Sequence, residues 1–489
     1  MQNTLTKVTH SSQSTLLPLF LAQFICSYAC TNMNVAISDI ARSLGTTVHG
    51  VQIAITFFTL TMAALMIPGS KLTDIWGRRF CFVLGLIVYD LGALVAAFSS
   101  TLGVLIFGYA LLEGVGSALL IPPVYILVTV SFPDVQSRAK SFGIISAAAG
   151  IGAAAGPLIG GLITTAISWR ASFIVQALVV ACIVLLSRRI SDPGIQGARP
   201  HFDLIGALLS AAGLFFVVLG LLQSGTYGWF IANQNFTIGN IVLIPQGSIS
   251  PVWLFLVIGA LILLWFFIHI RSRERAGKEP LLSLRLFRSR VANLGLVTQN
   301  IQWLILQGGF FVISVFLQTV RGFNAIQTGL LLTPAIVGLL LSSAIAGRLA
   351  KRRTQRTLIR SGFVLTIVGM VLLLLLVKAT SSILTFIPGL LLMGLGIGVM
   401  LTSSTNIVQS SFPERDQGEI SGLSRSISNL GSSLGTAIVG SVLVTSFVPV
   451  NQTYGLAFIV VIVIACLGLI AALLLPSAPN KAGAATLVV

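Results

Sequence analysis

Two carboxyls stand where carboxyls are costly. Asp90 follows Tyr89 inside one apolar run, and Glu113 follows Leu111 and Leu112 inside the next. The other ten of the twelve acids fall in loops or near the ends of apolar runs. A charge at the centre of a membrane helix costs about 2.5–3.5 kcal/mol, so such a group is a functional candidate by default. The chemistry it offers is proton binding and release, or recognition of a cation. A second set suits ligand contact. Gln299, Asn300, Gln302 and Gln307 share one run with Trp303 and Phe310, a polar and aromatic mixture that fits an amphipathic molecule or, equally, hydrogen bonds between helices. Gln23, Asn32 and Asn34 raise the same pair of readings on the first run. Arg425 sits in Gly422-Leu-Ser-Arg-Ser-Ile-Ser-Asn-Leu-Gly431, placed either to snorkel toward a membrane surface or to gate or touch a substrate. Covalent and metal chemistry find no support. The four histidines are scattered, the five cysteines have no ligand spacing, and no phosphate loop or nucleophile arrangement is present, so no metal and no cofactor is expected.

The elements that must position these residues follow from composition. Of 489 residues, 55% are hydrophobic and 8% charged, against about 25% charged in soluble domains. Such a chain cannot cover a water-facing surface. A lipid bilayer accepts it if the backbone hydrogen bonds close within helices. Fourteen runs reach the roughly 20 residues that cross a bilayer, which predicts an all-α membrane protein with fourteen spans. The net charge of +17 is not a nucleic-acid signal, because the basic residues sit in short loops between spans. Alternate loops hold twenty-two of them, among them Lys71, Arg78 and Arg79, seven between Arg271 and Arg290, and six between Arg348 and Arg360. The intervening loops hold four: Arg42, Arg170, Arg321 and Lys378. The positive-inside rule then places the first set and both termini in the cytoplasm of a cell that carries the protein in its inner or plasma membrane. The first apolar run, from Thr15 to about Ser38, is too long for the core of a cleavable signal. The spans divide into six at 1–187, two with strongly basic loops at 188–290, and six at 291–489.

Two motifs carry mechanical meaning. After span 2 the chain reads Gly69-Ser-Lys-Leu-Thr-Asp-Ile-Trp-Gly-Arg-Arg79. Gly77 allows a sharp turn, and Asp74 can accept from an arginine or a helix N-terminus, so Asp74, Gly77, Arg78 and Arg79 could clasp two bundles in one state. Span 5 carries Gly152, Gly156, Pro157, Gly160 and Gly161. Four-residue spacing of glycine lets a neighbouring helix approach closely, and the proline loosens the helix ladder. The chain resembles the major facilitator superfamily in its fourteen-helix drug:proton antiporter branch. The first loop is similar to the family's Gly-x-x-x-Asp-x-x-Gly-Arg-Arg signature at Asp74, Gly77, Arg78 and Arg79, with Ser70 at the leading glycine and Ile75 where a basic residue is usual. Span 5 resembles the family's antiporter motif. The resemblance covers nearly the whole chain and implies two six-helix bundles plus two inserted helices.

Departures bear on mechanism. The family's membrane acid in span 1 falls on Ala29, its span 4 arginine on Ala110, and its glutamine on Glu113. Span 3 is often peripheral in this fold, which lowers the claim of Asp90. The function implied is secondary active export of small hydrophobic or amphipathic compounds by proton antiport and alternating access, with Glu113 and Asp90 as proton-coupling candidates. Gln23, Asn34, Gln299, Gln302, Trp303 and Arg425 are the cavity candidates. The alternative is a lipid or endogenous amphiphilic-metabolite transporter on the same fold, which the missing span 1 acid favours. The expected partners are a small amphipathic substrate, protons and the bilayer. The resemblance permits an adaptor spanning the periplasm without requiring one. A membrane sensor or enzyme would need a catalytic cluster or soluble domain that the sequence lacks.

Overall fold

Long apolar runs bounded by polar caps become helices. The computed structural model describes residues 2–132, 135–188, 190, 201–238, 241–350, 352–378, 380–412, 417–444 and 450–476. Arg189, Arg199, Lys351 and Arg415 of the basic loop set lie outside the described residues. The helices are α1 (Gln2–Asn32), α2 (Ile37–Ser43), α3 (Val48–Trp76), α4 (Arg78–Ala97), α5 (Leu102–Leu105), α6 (Gly114–Ser131), α7 (Val135–Ala166) and α8 (Trp169–Ser187). They continue as α9 (Leu204–Tyr227), α10 (Pro251–Arg275), α11 (Arg290–Val315), α12 (Ala325–Leu349), α13 (Gln355–Leu376), α14 (Phe386–Gln409), α15 (Gln417–Val444) and α16 (Val450–Leu473). A π-helical segment, Ile106–Glu113, joins α5 to α6 into one span, and a π turn, Phe316–Val320, extends α11. Among the described residues, fourteen helices are long and apolar enough to cross a membrane, as composition predicts.

Helix starts follow ordinary capping rules. Thr47, Thr101, Ser168, Ser289 and Thr354 each turn a side-chain oxygen onto an otherwise unpaired N–H of the first turn, and Asn324 with Gln327 forms a reciprocal box. The loop between α9 and α10 is not merely irregular. Phe236–Ile238 and Ile241–Ile244 pair as a short antiparallel hairpin.

Helix α1 packs on α7, α4 on α6 and α8, α12 on α14, α13 on α14, and α11 on α15. The broadest joins between the chain's first six spans and its last six are α7 with α12 and α3 with α15. The inserted helices α9 and α10 pair with each other through close glycine contacts, Gly213 against Leu263 and Gly259 against Val217. Helix α9 reaches the seam. Val218 and Leu222 of α9 are buried with Leu60 of α3 and Ala437 of α15. The outer surface of α10 carries Leu261, Leu264, Trp265 and Ile268, all more than half exposed and suited to lipid.

With fourteen alternating spans, the loops holding Lys71, Arg78 and Arg79, the Arg271–Arg290 stretch and Arg352–Arg353 fall on one face. This is called the basic face below, and the other the opposite face.

Candidate functional site

The seam between the two groups of spans closes at the opposite face. Gln318 reaches from the end of α11 to the α1–α2 corner: its Nε2 donates to the Asn34 carbonyl (2.9 Å), and its Oε1 accepts from the Ser38 N–H (2.9 Å). Gln307 Nε2 donates to the Cys30 carbonyl (2.9 Å), Gln52 Nε2 to the Thr436 carbonyl (3.1 Å), and Ser433 Oγ to the Thr56 carbonyl (3.1 Å). The Ile326 N–H donates to Thr165 Oγ1 at 3.0 Å. Each of these buried amides is satisfied by a backbone group across the seam, which spares it the cost of burial without a partner.

The span 5 glycines serve two faces of α7. Gly152, Gly156 and Gly160 lie on α1, where an added Cβ would strike the Phe24 carbonyl, Thr31 and Asn32 respectively. Gly161 and Pro157 face α12, with a Gly161 Cβ falling 2.6 Å from the Ala325 carbonyl and a Gly329 Cβ striking the Pro157 carbonyl. The motif therefore seals the seam at this end. Toward the basic face the same helix pair is looser: a Cβ on Gly150 would sit 3.9 Å from Leu339 and Leu340.

Below the closure lies a cavity between the two groups. Helix α1 supplies Gln23, Cys26, Ser27, Cys30 and Thr31, α3 supplies Met62 and Met66, and α6 supplies Ile121. From the other group come Trp303 of α11 and Arg425, Ser428 and Asn429 of α15. A second, smaller space continues toward the basic face past Ser70, Tyr125, Ser421 and Gly422, and shares Arg425. Of the cavity candidates named from sequence, the structure brings Gln23, Trp303 and Arg425 together. Gln299 is instead held behind the wall, its Nε2 donating to Ser428 Oγ (2.9 Å) and its Oε1 accepting from Ser424 Oγ (3.0 Å). Gln302 accepts from Ser404 Oγ at 2.7 Å within the same group of helices. The Asn34 side chain is fully buried, and its backbone carbonyl is what Gln318 grips. Arg425 does not snorkel. Its guanidinium lies 4.8 Å over the Tyr125 ring and donates to the Tyr125 hydroxyl.

Glu113 ends the π-helical segment and is 0% exposed, with no hydrogen-bond partner for either carboxyl oxygen among the described residues. π-Helical turns often mark functional positions, because the inserted residue breaks the regular ladder. Gly92 of α4 leaves the room it occupies. The Tyr89 hydroxyl stands beside Glu113 but donates to Gln176 Oε1 (2.8 Å). Tyr109, Cys26 and Cys30 are its other polar neighbours. Cys26 and Cys30 line the cavity and Glu113 does not, so the carboxyl sits one side chain behind the wall. Ala29 and Ala110 are buried nearby, with the Tyr109 hydroxyl donating to the Ala29 carbonyl at 3.0 Å. Asp90 is separate. It is half-buried on the side of α4 that also exposes Ile87, Leu91 and Leu94, and its Oδ1 is buried without a hydrogen-bond partner among the described residues.

At the basic face, Gly77 takes φ 100° between α3 and α4, a region that disfavours any Cβ. Asp74 lies within electrostatic reach of Lys71, Arg78 and Glu279. Arg79 donates to the Arg188 carbonyl at 3.4 Å. Lys71 pairs with Glu279 at 3.6 Å, and the Ser283 N–H donates to Glu419 of α15 at 3.3 Å. The stretch after α10 thus touches both groups. It is anchored by Asp203, the cap of α9, which is 1% exposed. Asp203 accepts from the Gly206 N–H (3.0 Å) and the Leu281 N–H (3.2 Å), and bonds His269 Nε2 at 2.9 Å, with Arg273 3.6 Å away. Burial alone would push its carboxyl up, but the bonds from His269 and Gly206 and the charges of His269 and Arg273 hold it below the ordinary carboxylate range. Sequence reading missed this anchor and Gln318, because each looks like an ordinary polar residue near a span end.

The chain matches the family description Major Facilitator Superfamily over residues 19–245, 236–436 and 364–487. It belongs to that superfamily. Among curated relatives, it is similar to multidrug resistance protein Stp of Mycobacterium tuberculosis, 27% identical over 88% of this chain and 75% of that one. It is also similar to puromycin resistance protein pur8 of Streptomyces alboniger, 29% identical over 87% of this chain and 81% of the relative. The cephamycin export protein CmcT of Amycolatopsis lactamdurans is 27% identical over 93% and 90%. This superfamily member is a multi-pass membrane transporter.

Proposed function

We propose that this transporter exports small hydrophobic or amphipathic compounds, of the kind named in its resistance and export relatives, by proton antiport and alternating access. The basic face is cytoplasmic, as the distribution of Lys and Arg supports, with both termini on that side in a cell inner or plasma membrane. The first six spans (1–187) and the last six (291–489) rock about the cavity while the inserted pair (188–290) follows at the seam. Protons, a small amphipathic substrate and the bilayer are its partners. An adaptor is permitted and not required.

The observation that carries proton coupling is Glu113: a fully buried carboxyl beside the Tyr89 hydroxyl, its oxygens without a close hydrogen-bond partner among the described residues, near the cavity-lining Cys30. A charge at such a depth is costly, so a state change that brings water to Glu113 would let it exchange a proton. On this reading Glu113 takes a proton from outside as substrate leaves, and releases it when the cavity opens inward. Asp90, at the lipid side of α4, is the weaker candidate. The alternative, a lipid or endogenous-metabolite carrier without coupling, draws support from Ala29 and Ala110 standing where the family's charges stand.

The test is dye export by proteoliposomes under an imposed pH gradient. Wild type should export against the dye gradient only when the pH gradient is present. Glu113→Gln should bind dye but lose the pH response. A wild type indifferent to the gradient, or a variant that pumps normally, refutes coupling through Glu113.

A further inference from the structure

We propose that the cavity recognises an amphipathic molecule carrying one anionic group, and that Arg425 is the residue that reads it. This rests on the export reading and adds the charge of the cargo. Among the described residues the cavity wall is charged at one position, Arg425. Its apolar part includes Met62, Met66, Ile121 and Trp303, and its polar part is neutral amides, hydroxyls and thiols. Among the described residues no carboxylate lines either space. A cationic ligand would therefore enter without a counter-ion and beside a fixed positive charge.

Arg425 itself is poorly compensated. Among the described residues no carboxylate pairs with it, and the Cys30 thiol is its electrostatic neighbour. A guanidinium has five N–H donors. One Nη2 donor goes to the Tyr125 hydroxyl. The Tyr125 hydroxyl then donates to Gln23 Oε1 (3.2 Å), and Gln23 Nε2 to Ser27 Oγ (3.1 Å). This chain of neutral groups runs from α15 through α6 to α1 and fixes the guanidinium in place without neutralising it. The Tyr125 ring beneath it, at 4.8 Å, holds its plane by cation–π attraction. The remaining N–H groups make no hydrogen bond to a described residue. A planar, pre-oriented fork with donors to spare matches a carboxylate or similar oxyanion with two acceptors. The apolar residues then cover the body of the ligand, and Trp303 offers it a ring face.

The anion could belong to a small organic acid or to a lipid headgroup. We assign the small acid, because the chain of bonds to α1 leaves the arginine inside the seam between the two groups of spans.

The test uses three probes with one body and three heads: 1-pyrenebutyrate, 1-pyrenebutanol and 1-pyrenebutylamine. Saturable binding to the purified full chain in neutral-lipid nanodiscs is measured, with protein-free nanodiscs subtracted. The acid should bind roughly tenfold or more tighter than the alcohol, and the amine most weakly. Arg425→Gln should bring the acid-to-alcohol ratio down to about one, with an unchanged circular dichroism spectrum and monodisperse elution showing that the variant is folded. Arg425→Lys should keep part of the preference, since it retains charge but not the fork. Equal binding of acid and alcohol by wild type overturns the proposal without recourse to any variant, as does an Arg425→Gln protein that still prefers the acid. If phosphatidylglycerol in the nanodisc displaces pyrenebutyrate from wild type, the small-acid assignment is overturned in favour of a headgroup. The two readings fail separately. Export of a cationic dye that ignores Arg425→Gln leaves export standing and sinks the anion. Acid-selective binding without export of any probe does the reverse.

Discussion

Replacing Gly161 with alanine should open one end of this protein and not the other. Gly161 lies where α7 meets α12 near the opposite face, and an added Cβ would fall 2.6 Å from the Ala325 carbonyl, where ordinary contact begins at 3.4 Å. The helices must part there by the difference, about 0.8 Å, against backbone that cannot rotate away. Overpacking of this kind costs about 1–3 kcal/mol. On the alternating-access reading, that cost exists only while the opposite face is closed. It disappears when α7 and α12 separate, so the equilibrium moves toward the state open at that face by about 5- to 150-fold. The structure supplies its own control. Gly150 is on the same helix facing the same partner, but its added Cβ would make ordinary contact at 3.9 Å. Gly150→Ala should shift nothing. The assay is a spin-label distance distribution between Thr101→Cys and Ser382→Cys, at the opposite ends of α5 and of the turn before α14, in a background with the five native cysteines replaced. Gly161→Ala should increase the long-distance population, and Gly150→Ala should match the parent. If the two variants give the same distribution while both remain folded, the assignment of the span 5 glycines to a state-dependent seal is wrong.

Other outcomes follow from the same contacts. Gln318→Ala removes both bonds to the α1–α2 corner and should favour the same open population, by about 1–3 kcal/mol for the groups left unpaired; an unchanged distance distribution would count against this closure. Asp203→Ala deletes the α9 cap and the acceptor for Leu281, and should lower stability by about 2–4 kcal/mol, with Asp203→Asn intermediate because asparagine still caps. Since the Asp203 carboxyl is held below its ordinary range, its contribution is fully present above its unfolded value of about 3.9 and is lost as pH falls through the folded value. The gap between wild type and Asp203→Ala in thermal unfolding should therefore narrow in strong acid, as pH falls through the folded value of that carboxyl. Gly77→Ala places a Cβ at φ 100° and should cost about 1–3 kcal/mol, read as a lower unfolding temperature in detergent.

The spans and their number were legible in the sequence, because they depend on local quantities: run length and hydropathy. Glycine spacing in span 5 likewise announced close packing, since the absence of a side chain is visible without a neighbour. The identity of that neighbour was not. Gly156 lies against Thr31 while Gly161 lies against Ala325, and five residues of helix separate a contact within one group from a contact across the seam. The same rotation sorted the polar residues. Gln299 and Trp303 are one turn apart, yet Gln299 is bound to Ser428 behind the wall while Trp303 lines the cavity. The charge of Arg425 was plain in the sequence, but its position over Tyr125 rather than at a membrane surface depends on how α15 crosses α6. Hydropathy fixes a helix in the bilayer. Which side of it meets substrate, lipid or another helix is decided by packing among all of them, and only the tertiary structure holds that information.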